Sequence, residues 1–312
     1  MKAARLETIL GMIIAASSLG ARGLVCGPCP QSSPQVIPLL PPSSDGGPGG
    51  EVDVEAACAR LCPQAIQCEA TTLPLEGGTM PAIECTEPPD CSAGRRPEGL
   101  SEAAFAAGGA TPAGWLARAA FLEAASVDAF RALGRDLHAL GAPRRLRRAA
   151  SRAARDERRH ARRMRSLARR HGAVVPAPEV RPPTAAPTLA KVAAHNAAEG
   201  CVRETFGALV ARFQAASAGD RELASAMARI AADEARHAAL AWEIDAWARR
   251  RLGPEERERL DRAREDAVRE LFSAALRPAP AALIRSIGLP DRPTAERLAR
   301  RLAEALGLTP RA

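Results

Sequence analysis

The pentapeptide DERRH at residues 156–160 returns, with one letter changed, as DEARH at residues 233–237. Each copy places a glutamate and a histidine three residues apart, and residues at this spacing share one face of an α-helix. A single Glu-x-x-His pair carries little weight, because arginine-rich helices produce it by chance. Two copies in one chain indicate an internal duplication and predict two equivalent helices in one fold.

Four long helices are predicted after residue 100, and the two pentapeptides lie on the second and the fourth. Their predicted bounds are Thr111 to Leu140, Pro143 to Arg170, Thr188 to Ala218 and Asp220 to Gly253. Short connections make two hairpins of these helices, and a proline-rich stretch at residues 174–187 joins the hairpins. This order predicts an all-α four-helix bundle with one long crossover. Two further helices are predicted over residues 254–276 and 294–306.

The first helix of each hairpin carries a matching glutamate. The pattern E-x4-[D/E]-x-F begins at Glu123 in the first helix and at Glu199 in the third. Glu123 precedes Glu157 by 34 residues, and Glu199 precedes Glu234 by 35. Residues equally far from a turn lie side by side in an antiparallel helix pair. Each hairpin is therefore expected to place its first glutamate level with its Glu-x-x-His pair.

These acids lie on the helix faces that are expected to be buried. In the second helix, Glu157 and His160 continue an apolar stripe from Leu146 to Leu167, and arginines occupy most of the remaining surface. The alternative is a set of exposed pairs, but it does not account for the matched glutamates on apolar stripes. Buried carboxylates need compensating positive charge, so we predict a site for two divalent cations. Its predicted ligands are Glu123, Glu157, His160, Glu199, Glu234 and His237.

The pattern Glu…ExxH…Glu…ExxH over residues 111–252 resembles that of the ferritin-like di-iron carboxylate proteins. The resemblance implies a ferritin-like bundle that holds two iron ions, with manganese as the next metal suited to such ligands. It implies that each ion is held by the first glutamate and the histidine of one hairpin. In this assignment Glu123 with His160 and Glu199 with His237 hold one ion each, and Glu157 and Glu234 bridge them.

The resemblance also implies a role for the aspartate that begins each pentapeptide. In bacterial multicomponent monooxygenases and in the small subunit of ribonucleotide reductase, this aspartate accepts a hydrogen bond from the distal nitrogen of a ligand histidine. Such an outer carboxylate selects the tautomer of the histidine. The implied pairs are Asp156 with His237 and Asp233 with His160.

Three further polar residues on the first and third helices are candidates for supporting roles around the metals. Asp128 and Glu204 share a repeat position, about 140° round an α-helix from the matched glutamates. They are therefore not expected to bind the same ions, and we expect them to pair with Arg159 and Arg236. His195 lies one turn before the matched glutamate of the third helix. It is either a surface or outer-shell histidine, or an extra ligand or proton relay.

Two features of the sequence differ from members of this family and argue against two of the family's functions. The chain contains no tyrosine, which excludes a tyrosyl radical and thus a ribonucleotide reductase role. It has a single C-x-x-C, at Cys26 and Cys29, which argues against a rubrerythrin. We therefore predict an oxidase or oxygenase that activates dioxygen or peroxide and acts on an unknown small-molecule substrate or electron donor. The alternatives are an iron-handling ferroxidase or peroxide scavenger, and a structural or binding bundle with a non-catalytic metal.

The first 100 residues have a different composition. Residues 1–22 combine a basic start, an apolar run and small residues, which is typical of a signal peptide and predicts export to the periplasm, cell envelope or medium. Seven of the eight cysteines fall within residues 23–100, which we predict to be an irregular, disulfide-stapled segment and linker. Gly-Leu-Val before Cys26 is a poor lipobox, so a lipid anchor is not expected. The bundle is predicted over residues 105–253 and the C-terminal helices over 254–312.

The net charge of +8 comes almost wholly from arginine, and only 3% of the residues are aromatic. The arginines recur at helical spacing with no interleaved aromatic side chains. We therefore interpret them as solvated helix faces, and a nucleic-acid partner is not expected. The sequence makes no prediction of oligomeric state.

Overall fold

The N-terminal part of the chain contains more regular structure than its composition predicts. In this computed structural model the described residues are 8, 10–13, 35–39, 53–61, 67–75, 78–86, 95–101, 111–181, 183–275 and 279–307. The N-terminal elements are β1 (Gln35–Pro38), α1 (Val54–Leu61), β2 (Gln67–Leu75) and β3 (Gly78–Thr86). The three strands form an antiparallel sheet in the order β1-β3-β2. The expectation of an irregular segment is therefore wrong for these residues. Strands β2 and β3 pair along their whole length with two residues between them, as in a tight hairpin.

The predicted disulfide framework stays a prediction. Of the seven N-terminal cysteines, Cys26, Cys29, Cys62 and Cys91 lie outside the described residues. The register of β2 and β3 places the Cα atoms of Cys68 and Cys85 opposite each other. The eighth cysteine, Cys201, is a free thiol in the interior of the protein.

Two helical hairpins follow, as the sequence predicts. Their elements are α2 (Pro112–Ala139), α3 (Arg144–Arg170), α4 (Leu189–His195), the π-helix π1 (Asn196–Glu204), α5 (Thr205–Ser217) and α6 (Arg221–Arg249). α2 packs along α3 and α5 packs along α6, while α3 packs against α6. The side chains of Thr111, Thr188 and Asp220 accept hydrogen bonds from backbone amides of the first turns of α2, α4 and α6, and so cap these helices. α4, π1 and α5 run on as one helical stretch.

The core of these helices is divided into two apolar layers. One layer contains Trp115 to Leu122 of α2, Met164 to Ala168 of α3 and Leu223 to Ala231 of α6. The other contains Phe130 to Leu137, Leu146 to Ala154 and Leu240 to Ala248 of the same three helices. The residues between the two layers are therefore held at one level by apolar packing on both sides.

Smaller elements surround the helices. They are β4 (Leu100–Ser101), β5 (Glu179–Val180), α7 (Pro254–Ala275), α8 (Ala281–Ile287) and α9 (Arg292–Leu306). β4 and β5 pair antiparallel, which joins the segment before α2 to the proline-rich crossover. α8 was not predicted from the sequence, whereas α7 and α9 match the two predicted C-terminal helices closely.

Most of the predicted signal peptide lies outside the described residues. Within it, Leu10 and Ile13 are buried in a cluster with Phe206 and Leu209 of α5 and Leu298 of α9. Among the described residues, none of the helices combines the length and apolar character needed to cross a lipid bilayer.

Candidate metal centre

Four side chains from three helices meet between the two apolar layers. Glu123 comes from α2, Glu157 and His160 from α3, and Glu234 from α6. Each offers one ligand atom, and these atoms all lie within 4.8 Å of one another. His160 Nδ1 is 3.3 Å from Glu123 Oε2, so the first hairpin brings its glutamate level with its Glu-x-x-His pair. All four residues are buried.

His237 extends this group on the other side, and Glu157 and Glu234 each reach both histidines. Glu157 Oε2 lies 3.8 Å from His160 Nδ1, and its Oε1 lies 3.0 Å from His237 Nδ1. Glu234 Oε1 lies 3.5 Å from His160 Nδ1, and its Oε2 lies 3.6 Å from His237 Nδ1. Each of these two carboxylates therefore directs one oxygen toward each imidazole, which is the arrangement expected of a bridging ligand.

The atoms at the centre of this group form ion-pair contacts with one another, such as His237 Nδ1 with Glu157 Oε1 at 3.0 Å, but no hydrogen bond of regular geometry. Among the described residues, the buried side-chain atoms without such a partner include eight at this level of the bundle. They are Glu123 Oε2, both oxygens of Glu157, both oxygens of Glu234, Glu204 Oε2, His160 Nδ1 and His237 Nδ1. Leaving buried polar groups unsatisfied is costly, so a set of this size could hold a cation. Carboxylate oxygens and imidazole nitrogens are ligands that suit iron or manganese.

When no cation is bound, protonation of the histidines and of Glu123 compensates part of the negative charge of the buried carboxylates. Burial lowers the pKa of His160, but the Glu123 carboxylate and the contact with Asp233 outweigh burial and raise that pKa well above its usual value. His237 behaves in the same way: burial is outweighed by Glu234 and Asp156, and its pKa also lies well above the usual value. Burial raises the pKa of Glu123, and the Glu157 carboxylate raises it further. Protons and metal ions would therefore compete for the same atoms.

Each aspartate of the repeat contacts the histidine of the other copy. His160 Nε2 lies 2.9 Å from Asp233 Oδ2, and His237 Nε2 lies 3.4 Å from Asp156 Oδ2. These are the two pairs that the family resemblance implies. Each contact places a proton on Nε2 and leaves Nδ1 free to face the carboxylates.

Arginines close this group toward the solvent. Arg159 contacts Asp156 at 2.6 Å and Asp233 at 3.3 Å. Arg236, the equivalent arginine of the second copy, also contacts both Asp156 and Asp233. The expectation that Arg159 and Arg236 pair with Asp128 and Glu204 is therefore wrong. Asp128 instead pairs with Arg131, one turn away on the exposed face of α2.

Glu199 does not join the group that the sequence assigned to it. Its Oε2 accepts a hydrogen bond of 3.3 Å from the backbone amide of Arg96, and its Oε1 is paired with Arg203. Both carboxylate oxygens therefore have partners within the chain. The structure does not bring Glu199 together with His237.

Glu204 is the glutamate of π1 whose carboxylate has an oxygen without a hydrogen-bond partner. Its carboxyl is buried, and Oε2 is one of the atoms without a partner. Burial raises the pKa of Glu204 to about 7, against the opposing charges of Arg95 and His237. Arg95, whose Nε lies 3.0 Å from Glu204 Oε1, lies 5.5 Å from the centre of the Phe130 ring, and that ring centre lies 4.9 Å from the centre of the His237 ring. These contacts put Glu204 on the His237 side of the group. The sequence analysis did not expect Glu204 to bind metal, because it assumed α-helical geometry. In a π-helix the hydrogen bonds join residues five apart, so the five steps from Glu199 to Glu204 make roughly one turn.

Arg95 is the partner of Glu204 that sequence analysis missed. Its Nε lies 3.0 Å from Glu204 Oε1, and both side chains are almost fully buried. Arg95 is 109 residues away in sequence and lies in the segment assigned to the linker. No local pattern distinguishes it from its neighbour Arg96.

A cavity of about 470 Å³ is lined in part by Arg95. Asp128 and His195 both line it, together with apolar residues of α2 and of the crossover, such as Leu133 and Pro187. Burial, followed by the positive charge of Arg95, lowers the pKa of His195. His195 therefore lies at the wall of this cavity as a neutral imidazole at neutral pH.

Comparison with family models, curated proteins and solved structures finds no match to this chain. The assignment of the centre therefore depends on the geometry of its own residues.

Proposed function

We propose that this protein is a ferritin-like metalloprotein that binds two iron ions between α2, α3, π1 and α6. The observation that carries the proposal is the set of eight buried, unpartnered carboxylate and imidazole atoms at one level of the bundle. Cations at this level would satisfy these atoms and compensate the buried carboxylates.

The residues divide into two ligand sets that share their bridging carboxylates. One ion would take Glu123 and His160. The other would take His237, with Glu204 in place of the predicted Glu199. The proposal assigns Glu157 and Glu234 to both ions, because each directs one oxygen toward each histidine.

When bound, iron in such a site would supply the redox chemistry needed to activate dioxygen or peroxide. The chain itself holds the ligands at one level, orients both histidines through the aspartates and excludes bulk water from the centre. The cavity beside Arg95 favours a small organic substrate, and hence an oxidase or oxygenase. Arg95 lines this cavity and is also paired with Glu204.

The alternatives predict different behaviour. An iron-handling or peroxide-scavenging protein would oxidise ferrous iron rapidly without an organic substrate. A structural bundle would bind metal without reacting with oxygen. Export of the protein belongs to the same proposal, and its support is the composition of residues 1–22.

The test is anaerobic titration of the metal-free protein with ferrous iron, followed by metal analysis. We expect about two ions per chain in the wild type. The double change Glu157→Ala and Glu234→Ala should abolish binding, whereas Asp128→Ala, on the exposed face of α2, should leave it unchanged. Tight binding that survives the double change would disprove this metal centre. Admission of oxygen to the loaded protein, with stopped-flow absorption, then separates the three alternatives.

A further inference from the structure

The guanidinium of Arg95 lies inside the bundle, although residue 95 precedes the first bundle helix. Its side chain contacts Glu204 through Nε, and its Nη2 donates a 2.8 Å hydrogen bond to Asn196 Oδ1. Its backbone carbonyl accepts a 2.8 Å hydrogen bond from Ser126 Oγ. The guanidinium carbon also lies 5.5 Å from the centre of the Phe130 ring. Contacts from α2 and π1 thus hold Arg95 in one position.

The segment that carries Arg95, residues 95–101, is tied to the bundle at its other end, and we refer to it as the strap. Its β4 residues pair with β5 of the crossover, and Arg181 N donates a 3.0 Å hydrogen bond to Gly99 O. Gly99 has a φ of +79°, and a Cβ atom there would lie 2.1 Å from Arg181 O, so this attachment requires glycine. The backbone of the strap therefore fixes the point at which the Arg95 side chain enters the bundle.

Gly200 provides the space that the guanidinium fills. A Cβ atom at Gly200 would lie 2.3 Å from Arg95 Nη2. The π-helix thus presents to Arg95 a carboxylate, an amide oxygen and a surface without a side chain. Buried guanidinium groups need this kind of complete pairing.

The two halves of the metal centre differ because of this contact. Around His160, the ligand atoms of Glu123, Glu157, His160 and Glu234 lie within 4.8 Å of one another. At the His237 side, Glu204 already holds a cation, the guanidinium of Arg95. The carboxylates of the first half face no such cation, whereas the second half shares Glu204 with Arg95, and only Oε2 of Glu204 has no hydrogen-bond partner.

Charge makes Arg95 and a second metal ion alternatives to each other. Four carboxylates are neutralised by two divalent ions, so the Arg95 guanidinium would then be an excess buried cation next to a metal. With one ion bound, the guanidinium offsets part of the remaining negative charge. A buried charge without compensation is strongly unfavourable.

We propose that Arg95 is an internal competitor for the second metal ion: the ion at the His237 side binds only when Arg95 leaves Glu204. The inference rests on the proposed function, because it requires the centre to bind metal. Loading then proceeds in order, first at His160 and afterwards at His237. Since Arg95, Pro97 and Glu98 line the cavity, movement of the strap at the second step would also change the wall of the cavity.

The test measures stepwise binding of Mn²⁺ to the full-length, metal-free protein by calorimetry and metal analysis. The variants are Arg95→Met, which keeps the side-chain length without the charge, and Arg95→Lys, which keeps the charge. Lys191→Met is the matched control, because Lys191 pairs with Glu98 of the strap at the surface, 2.8 Å apart and half exposed. We expect Arg95→Met to tighten the second step at least about tenfold, since a charge-assisted buried pair no longer has to break. The first step should not change, and Arg95→Lys and Lys191→Met should bind the second ion far more weakly than Arg95→Met.

Hydrogen exchange of the wild-type strap provides a second measurement that does not depend on the folding of any variant. Exchange of the amides of residues 98–101 should increase at the second equivalent of Mn²⁺ and not at the first. Equal second-step affinity in wild type and Arg95→Met, or a strap that stays protected with two ions bound, would overturn the inference while the metal centre stands. Absence of the first binding step as well would refute the proposed function, and the inference with it.

Discussion

Asp233 and His160 join the two copies of the repeat: Asp233 Oδ2 lies 2.9 Å from His160 Nε2 across the contact between α3 and α6. The reciprocal contact joins Asp156 to His237 at 3.4 Å. The aspartate of each pentapeptide therefore orients the histidine of the other. This exchange gives a structural reason for a duplicated D-E-x-R-H, because one copy alone would have neither partner.

The change Asp233→Asn tests this relationship. Asparagine can present its amide nitrogen to His160 Nε2 and no longer stabilises a proton there, so the orientation of Nδ1 is weakened. Removal of such an outer-shell carboxylate costs about 10- to 100-fold in metal affinity. Calorimetric titration with Mn²⁺ measures the effect, and Asp128→Asn is the control, because Asp128 pairs only with Arg131 among the residues described here. Unchanged affinity in Asp233→Asn would mean that the contact does not support metal binding.

A pair of glutamine substitutions decides between the two glutamates of π1. Glu204→Gln should lose the ion at the His237 side and retain the other, because the amide keeps the shape of the carboxylate but not its charge. Glu199→Gln should retain both ions, since Glu199 is engaged by Arg203 and the backbone amide of Arg96. Metal content per chain after dialysis is the measurement. The opposite result would restore the ligand assignment predicted from the sequence.

His195 should titrate below its ordinary pKa of 6.5, because burial and then the charge of Arg95 oppose its protonation. A histidine whose pKa is lowered by folding stabilises the protein above pH 6.5, and this contribution is lost as the pH falls through the lowered value. Denaturant unfolding at pH 7.5 and pH 5.5 should therefore show a larger loss in the wild type than in His195→Gln.

The role of Arg95 in this shift can be measured separately. The chain has only five histidines, so the His195 ring protons can be followed by NMR. Arg95→Met should move the pKa of His195 upward, because a nearby positive charge has been removed. An unchanged or lower value would contradict the placement of the guanidinium.

Cys201 should be unreactive in the folded protein. Burial, with a smaller effect of the Asp245 charge, raises the pKa of its thiol to about 12, and the thiolate is the reactive form. Iodoacetamide at pH 8 should leave the Cys201 peptide unmodified in native protein and alkylate it after denaturation in guanidinium chloride, as measured by mass spectrometry. Rapid alkylation of the native protein would show that π1 opens to solvent.

Two glycine-to-alanine changes compare a position without space and one with space. In Gly200→Ala the new methyl group would lie 2.5 Å from Ala241 Cβ as well as against Arg95. We expect a loss of about 1–3 kcal/mol in the free energy of unfolding from overpacking. In Gly134→Ala the nearest atom is 3.9 Å away, on Ala150, so helix propensity should dominate and stabilise the protein by about 0.5–1 kcal/mol. Equal effects in urea unfolding would show that the contact between Gly200 and Arg95 is not formed.

The sequence alone determined the features that depend on helix periodicity. The spacing of apolar residues predicted the two hairpins and the burial of Glu157 and His160. Equal distances from the turn placed Glu123 beside His160, now 3.3 Å apart, because the rise per residue is constant along an α-helix. Each of these properties repeats locally along the chain, which is why a single sequence was sufficient to predict them.

Tertiary structure decided how the two glutamates of π1 are engaged. Both are buried on one helical stretch, but Glu199 is held by Arg203 and the Arg96 amide, whereas Glu204 keeps an oxygen without a partner. An α-helical register favoured Glu199 as the ligand. The π-helix changed that register, and its formation depends on packing against neighbouring helices, which the local sequence pattern does not record. Tertiary structure also brought Arg95 to Glu204 from 109 residues away. Such a pair has no sequence period, because its geometry depends on where a folded strap enters a folded bundle.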